Sequence, residues 1–285
     1  MSRGLCKLSP VSLSSSRYKK EHGIFLISDL HLGASNLDED LLRKELDDAL
    51  VRKDRIAING DVFDLILTRD AKRYNPTAIH KSIQGRDDIV NASIDLAMDI
   101  LKPVAHLIDM IGVGNHETAY TKNSNTDPVL ILIQRLNAYL RGKHQIQPGG
   151  YTGILSYEVS EYIHSIFYWH GSGGGRGLGG ILAEFIPKGF FVEGADTLWF
   201  GHRHIRAVSQ LEKFQIDLKG NVSSRYQWLV RSGGYLSSYD LQKAEEMEQE
   251  GRQGNYAADA LLQPAGRGGI RLVLENEGIS RVEVR

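Results

Sequence analysis

The 285-residue sequence contains a single cysteine, Cys6, so it forms no internal disulfide and suits a reducing compartment. It has no apolar run near the roughly 20 residues that span a bilayer. No apolar signal core follows Met1-Ser2-Arg3-Gly4-Leu5-Cys6. An excess of either charge is also missing. Lys and Arg total 34 against 35 Asp and Glu, a net charge of −1, which excludes a strongly basic nucleic-acid surface but leaves room for a local basic patch. These absences predict a cytoplasmic protein with no membrane contact and no evident protein partner. What remains is ordinary for a packed globular chain: 41% hydrophobic and 24% charged residues, with length for one large α/β domain.

One stretch organises the rest: Ile24-Phe25-Leu26-Ile27-Ser28-Asp29-Leu30-His31. An apolar run of strand length ends in a carboxylate and an imidazole two residues apart. Ligands of open α/β sheets bind at such carboxyl ends. Alternate residues of an extended segment point the same way, so both side chains can face one site. An Asp oxygen beside a His nitrogen suits a borderline divalent cation.

Along the chain, residues 1–22 read as a loosely held polar arm, or as a short edge strand at 7–13. Asp38–Lys53 has helical spacing, with Asp38 or Asn36 as its cap. Arg55–Asn59 is a second buried strand, ending in Gly60-Asp61-Val62-Phe63-Asp64. Arg69, Lys72, Arg73, Lys81 and Arg86 make the next stretch a basic insertion at the mouth of the site. Asp87–Leu101 is an amphipathic helix limited by Pro103, and Ile108–Val113 a strand ending in Gly114-Asn115-His116-Glu117. Pro128–Leu140 is a further helix. Strands follow at Tyr151–Val159, Ile163–Trp169, Asp196–Phe200 and Tyr226–Val230, then a hairpin of Ile270–Leu274 with Ile279–Val284. Asp240–Gly251 reads as an exposed helix. With no repeat and no linker, one domain is expected over 1–285, with two packed sheets and helices outside. Its core covers about 23–240, its basic insertion 65–107, and its terminal helix and hairpin 241–285.

Five strand ends therefore carry polar clusters: Asp29 and His31; Asp61 and Asp64; Asn115, His116 and Glu117; His170; His202 and His204. Glycine flanks the last four and permits turns that let side chains converge. Each cluster alone has a bland reading as a turn, a corner, a loop or a core histidine. Five at the ends of apolar strands point to one site.

The set Asp29-x-His31, Gly60-Asp61-x-x-Asp64, Gly114-Asn115-His116-Glu117, His170-Gly171 and Gly201-His202-x-His204 resembles the calcineurin-like metallophosphoesterases over about residues 23–205. The resemblance implies a four-layer α/β-β/α sandwich of two mixed sheets flanked by helices. It implies two divalent metal ions, Mn2+ first, with Fe, Zn, Ni or Co as alternatives. One ion would take Asp29, His31, Asp61 and His204. The other would take Asp61, Asn115, His170 and His202, with Asp61 bridging. A metal-bridging hydroxide would attack a phosphate mono- or diester of a small molecule, nucleotide or nucleic acid. His116, paired with Asp64, would protonate the leaving group.

Leu65-Ile66 and Val113 stand where the protein Ser/Thr phosphatases have phosphate-clamping arginines, and Asp64 where purple acid phosphatases have a tyrosine ligand. The bacterial and phage phosphoesterases are the nearer likeness. Arg176 and Arg203 are candidate substrate contacts. Two alternatives stay open: a DNA-processing nuclease of the same fold that uses the basic insertion, and a non-catalytic scaffold. The scaffold normally shows lost ligands, and here every position is filled.

Overall fold

The structure, a computed structural model, describes residues 5–13, 21–65, 79–173, 188, 192–237, 266–275 and 278–284. Residues 69–76 of the basic insertion, Arg176 and the expected helix at 240–251 lie outside them.

The chain is a mixed α/β protein built on two mixed sheets. The first strands are β1 (Cys6–Lys7) and β2 (Val11–Leu13), both parallel to β7 (Thr152–Val159). The single edge strand expected at 7–13 is thus two pieces. Pro10 separates them, lacking the N–H that a continuous ladder needs. Next come β3 (His22–Ile27), α1 (Glu39–Arg52), β4 (Arg55–Ile58), α2 (Ile89–Leu101) and β5 (Ile108–Gly112). Then follow α3 (Asn115–Ser124), α4 (Pro128–Leu140), β6 (Gln147–Gly150), β8 (Tyr162–Trp169) and β9 (Thr197–Phe200). The long pair β10 (Ala207–Ile216) and β11 (Val222–Arg231) precedes the closing hairpin of β12 (Ile270–Glu275) and β13 (Gly278–Val284).

One sheet runs β13-β12-β3-β4-β5-β6, with β3 to β6 parallel. The other runs β1-β7-β8-β9-β11-β10. β3 shows why the run at 24–27 reads as doubly buried. Ile24 and Leu26 face the second sheet, in a core with Tyr157, Ile166, Tyr168 and Trp199. Phe25 and Ile27 face the helices, in a core with Leu42, Leu46, Ile94 and Leu132. The outer face of the second sheet carries Leu198, Phe200 and Leu229. Among the described residues it meets Val192 and the Lys188 ammonium, 3.7 Å from the Trp169 ring centroid, and no complete helix. A fourth layer therefore has no counterpart among the described residues.

Local signals behave as their chemistry requires. Asp38 caps α1, accepting from Leu41 N at 3.2 Å. Pro103 does not stop the chain after α2; it sits in the first turn of a 3-10 segment, Lys102–Leu107, where its missing N–H costs nothing. The described part of the expected insertion, from residue 79, belongs to the core: Ile94, Ala97, Ile100 and Leu101 of α2 are buried. Arg86 is tied to Asp88 at 2.7 Å and lies 3.7 Å from Asp95.

Candidate metal centre

Both sheets deliver side chains to one place. β3 leads to Asp29 and His31, β4 to Asp61 and Asp64, and β5 to α3, which starts at Asn115. From the other sheet, β8 leads to His170, and β9 to His202 and His204. Asp29, His31, Asp61 and His170 are all buried. Asp29, His31, Asp61, His202 and His204 have φ values of 54°, 48°, 46°, 71° and 52°. Non-glycine residues rarely adopt this left-handed region, and held there they mark functional sites. Gly114 permits the closest approach: a Cβ there would lie 2.1 Å from Asp61 Oδ1.

Among the described residues the side chains form three groups that could hold a metal ion; one is His31, Asp64 and His116, and the other two unite residues expected to act as ligands. In the first of these two, Asp29, His31 and His204 place one ligand atom each within 4.8 Å of one another. His204 Nε2 lies 3.4 Å from Asp29 Oδ1 and 3.1 Å from His31 Nε2. In the second, Asp61, His170 and His202 do the same. His170 Nε2 lies 3.2 Å from Asp61 Oδ2 and 3.3 Å from Asn115 Oδ1. Asp61 Oδ2 is also 3.8 Å from His31 Nε2, so it faces both groups.

The donor set fits cations. The His170 Nδ1–H donates to the Asn59 carbonyl at 2.8 Å, which aims the other ring nitrogen at two acceptor oxygens. The His31 Nδ1–H donates to Asp64 Oδ1 at 3.2 Å and likewise frees Nε2 for the site. The His202 Nε2–H donates to the Gly173 carbonyl at 2.9 Å, and its buried Nδ1 has no hydrogen-bond partner among the described residues. Histidines that ligate metals are oriented in this way, one nitrogen donating outward and the other aimed inward. Burial opposes a charged His170 ring, yet the Asp61 and Asp29 carboxylates outweigh it and push its pKa up to about 10. A field that holds a proton so firmly also favours a cation.

His116 stands beside the first group, its ring 4.7 Å from that of His31 and edge-on to it. Burial acts to lower its pKa, but Asp61 and Asp64 prevail and raise it. The expected pairing with Asp64 is present, but its hydrogen bond runs through the backbone. His116 Nδ1 hydrogen-bonds the backbone carbonyl of Asp64, while Oδ1 lies 3.7 Å away, an ion-pair distance. The carboxylate makes its hydrogen bond to His31 instead. The backbone turn after β4 brings that carbonyl, rather than the side chain, closest to His116. Arg203 lies beside Gly173, where a Cβ would be 3.9 Å from its guanidinium.

Sequence reasoning gave no role to Glu117, which is buried at the third position of α3. Its carboxylate accepts from Gly114 N at 2.7 Å, Phe63 N at 2.8 Å and Asp61 N at 3.2 Å. It thereby ties the turn carrying Asp61 to the one carrying Asn115. Burial and the Asp61 charge push its pKa up to about 7. The signal was available, because an acidic side chain three residues into a helix reaches back to the cap. Tyr151 was missed too; its hydroxyl donates to the Gly171 carbonyl at 2.5 Å, bracing the corner after His170.

A cavity of about 340 Å³ opens at the opposite end of the strands, lined by residues that include His22, Lys53, Arg55 and His144. It touches none of the candidate ligands.

No family model matches the chain, and no curated protein matches it. Among solved structures it is similar to GAP50, the anchor in the inner membrane complex of Plasmodium, at 12% identity and a TM-score of 0.42, over 92% of this chain and 83% of that one. At that score the likeness bears on neither family nor function. No helix among the described residues is long and apolar enough to cross a membrane. The established result is a mixed α/β chain whose two sheets converge on buried His and Asp clusters able to hold metal.

Proposed function

We propose that the chain is a metal-dependent phosphoesterase of the calcineurin-like type, with a two-metal centre in a four-layer sandwich. One observation carries the reading: two Asp/His ligand groups lie back to back, with Asp61 facing both. Two divalent ions bound there would neutralise phosphoryl charge and lower the pKa of a water between them. Asp29, His31 and His204 hold one ion; His170, His202 and Asn115 hold the other; Asp61 reaches both. Oxygen and nitrogen donors without thiolate keep such ions Lewis-acidic, and Mn2+ is the first choice. His116, whose pKa the nearby Asp61 and Asp64 carboxylates raise, would give its proton to the leaving oxygen. Arg203, near Gly173, is the proposed substrate contact.

The test pairs metal analysis with a substrate panel: p-nitrophenyl and bis-p-nitrophenyl phosphate, nucleotides, phosphopeptides and DNA. Close to two ions per chain and hydrolysis abolished by chelation are expected. Asp61→Asn should lose metal and activity together. His116→Ala should keep metal and lose on the order of 10²–10⁴-fold in rate, less with a good leaving group. Full activity after chelation, or a chain that binds no divalent ion, sinks the reading.

A further inference from the structure

β10 lies at the edge of its sheet, and only Trp228–Arg231 of β11 pair with β9. The segments Leu211–Ile216 and Val222–Gln227 therefore project as a two-stranded ribbon. Its base is fastened where Arg225 donates to Gly194 O at 2.8 Å and to Asp196 Oδ1 at 2.7 Å. Its outer part is open. Phe214 is 77% exposed, Ile216 73%, Val222 67% and Tyr226 53%. Phe214 and Ile216 share one face with Val222 and Tyr226, as the register of the pair dictates. A two-stranded ribbon is marginal in water, and a long open edge invites another strand.

The backbone fixes which groups are open. Asp217 N donates to Asn221 O at 3.0 Å, so Asp217, Gln215 and Lys213 turn their backbone groups toward β11. Glu212, Phe214 and Ile216 then present theirs outward. The remaining question is which strand meets them, and the side chains answer it. A symmetric antiparallel pairing of two β10 strands centred on Glu212 sets Glu212 against itself. Centring on Lys213 sets two ammonium groups together, and centring on Phe214 sets Glu212 against Ile216. Centring on Gln215 places Phe214 opposite the partner's Ile216 and Lys213 opposite the partner's Asp217, each twice. Phe214 and Ile216 then meet on one face and Lys213 meets Asp217 on the other, while Glu212 falls opposite Leu218 of the turn, beyond the end of the partner's β10.

We propose that this ribbon is a dimerisation element, pairing β10 with β10 of a second copy about a two-fold axis at Gln215. The axis makes the interface self-complementary, and the outward groups of Phe214 and Ile216 exchange hydrogen bonds with those of the partner. The two Gln215 residues form a non-hydrogen-bonded pair with Cα atoms about 4.5 Å apart, within disulfide reach.

The experiment joins sedimentation with cross-linking of the full-length protein. The wild type should sediment at twice the mass of one chain, and Phe214→Glu at the mass of one chain with its divalent metal content unchanged. In a Cys6→Ser background, Gln215→Cys should form a covalent dimer on mild oxidation. Lys213→Cys should not, because the two Lys213 positions lie roughly 14 Å apart along the strands. A wild type that stays monomeric at its highest soluble concentration overturns the proposal. So does a dimer that links through Lys213→Cys or fails to link through Gln215→Cys.

Discussion

His164 makes the chain's stability depend on pH in a defined window. Its ring is buried between the sheets, with Nε2 3.2 Å from Thr197 Oγ1. Asp196 Oδ2 lies 3.8 Å from Nδ1, too far to compensate for lost water. Burial lowers the pKa, Asp196 opposes that and Arg225 adds to it, leaving a folded-state value of about 4 against 6.5 in the open chain. The sign follows directly. Above pH 6.5 the ring is neutral in both states and the group contributes no pH dependence. As pH falls below 6.5 the unfolded chain takes a proton that the folded chain refuses, so stability drops until the folded ring titrates near 4. The gap of about 2.5 pH units, at about 1.36 kcal/mol each, amounts to about 3 kcal/mol. That is a large part of the stability of an ordinary domain. Urea unfolding of wild type and His164→Gln should be compared from pH 7.5 to 4. The difference between the two curves isolates this ring from other groups that titrate in acid. The variant should lose less on acidification, with the difference growing by up to about 1.36 kcal/mol per pH unit between 6.5 and 4. Parallel curves would falsify the buried, neutral ring.

Three further outcomes are expected. Asp64→Asn should raise the metal concentration needed for half-maximal occupancy by about 10–100-fold, because it weakens the hydrogen bond that orients His31, as metal titration would reveal; unchanged affinity would return Asp64 to a turn residue. Gly114→Ala should cut metal binding while the circular dichroism spectrum persists, since its Cβ would meet Asp61 Oδ1 at 2.1 Å; normal metal content would show that the turn yields. Asp109→Ala should cost about 3–5 kcal/mol in denaturant unfolding by stranding the Arg55 guanidinium and the Tyr157 hydroxyl, and a loss below about 1 kcal/mol would contradict that pairing.

The site was more legible in sequence than the fold around it. Apolar strands ending in Asp or His give a short-range signal, because strand direction and side-chain alternation are local facts. Asp29, His31, Asp61, Asn115, His170, His202 and His204 all arrive where that signal places them. The helix α3 was illegible because it has no apolar face; its one buried side chain is Glu117, a carboxylate fixed by backbone N–H groups. β10 escaped for a similar reason, since its projecting half alternates exposed charges with exposed apolar residues and lacks the usual buried face. Asp64 shows a different limit. Its nearness to His116 follows from the motif, but which atom of Asp64 faces that ring depends on the path of the turn.

Each ligand group draws on both sheets, and a layer of apolar side chains lies between the sheets. Trp199, Tyr168 and Ile166 on one side rest on Ile24, Leu26 and Met110 on the other. That layer works as a spacer gauge for the centre at its end. Thinning it by one or two methylenes lets the sheets settle toward each other and changes the spacing between Asp61 and the histidines of the other sheet. Thickening it does the reverse. If the centre binds metal as proposed, substitutions in this apolar layer, far from any candidate ligand, become the natural means of changing which ion it takes, since ions of different radius prefer different spacings.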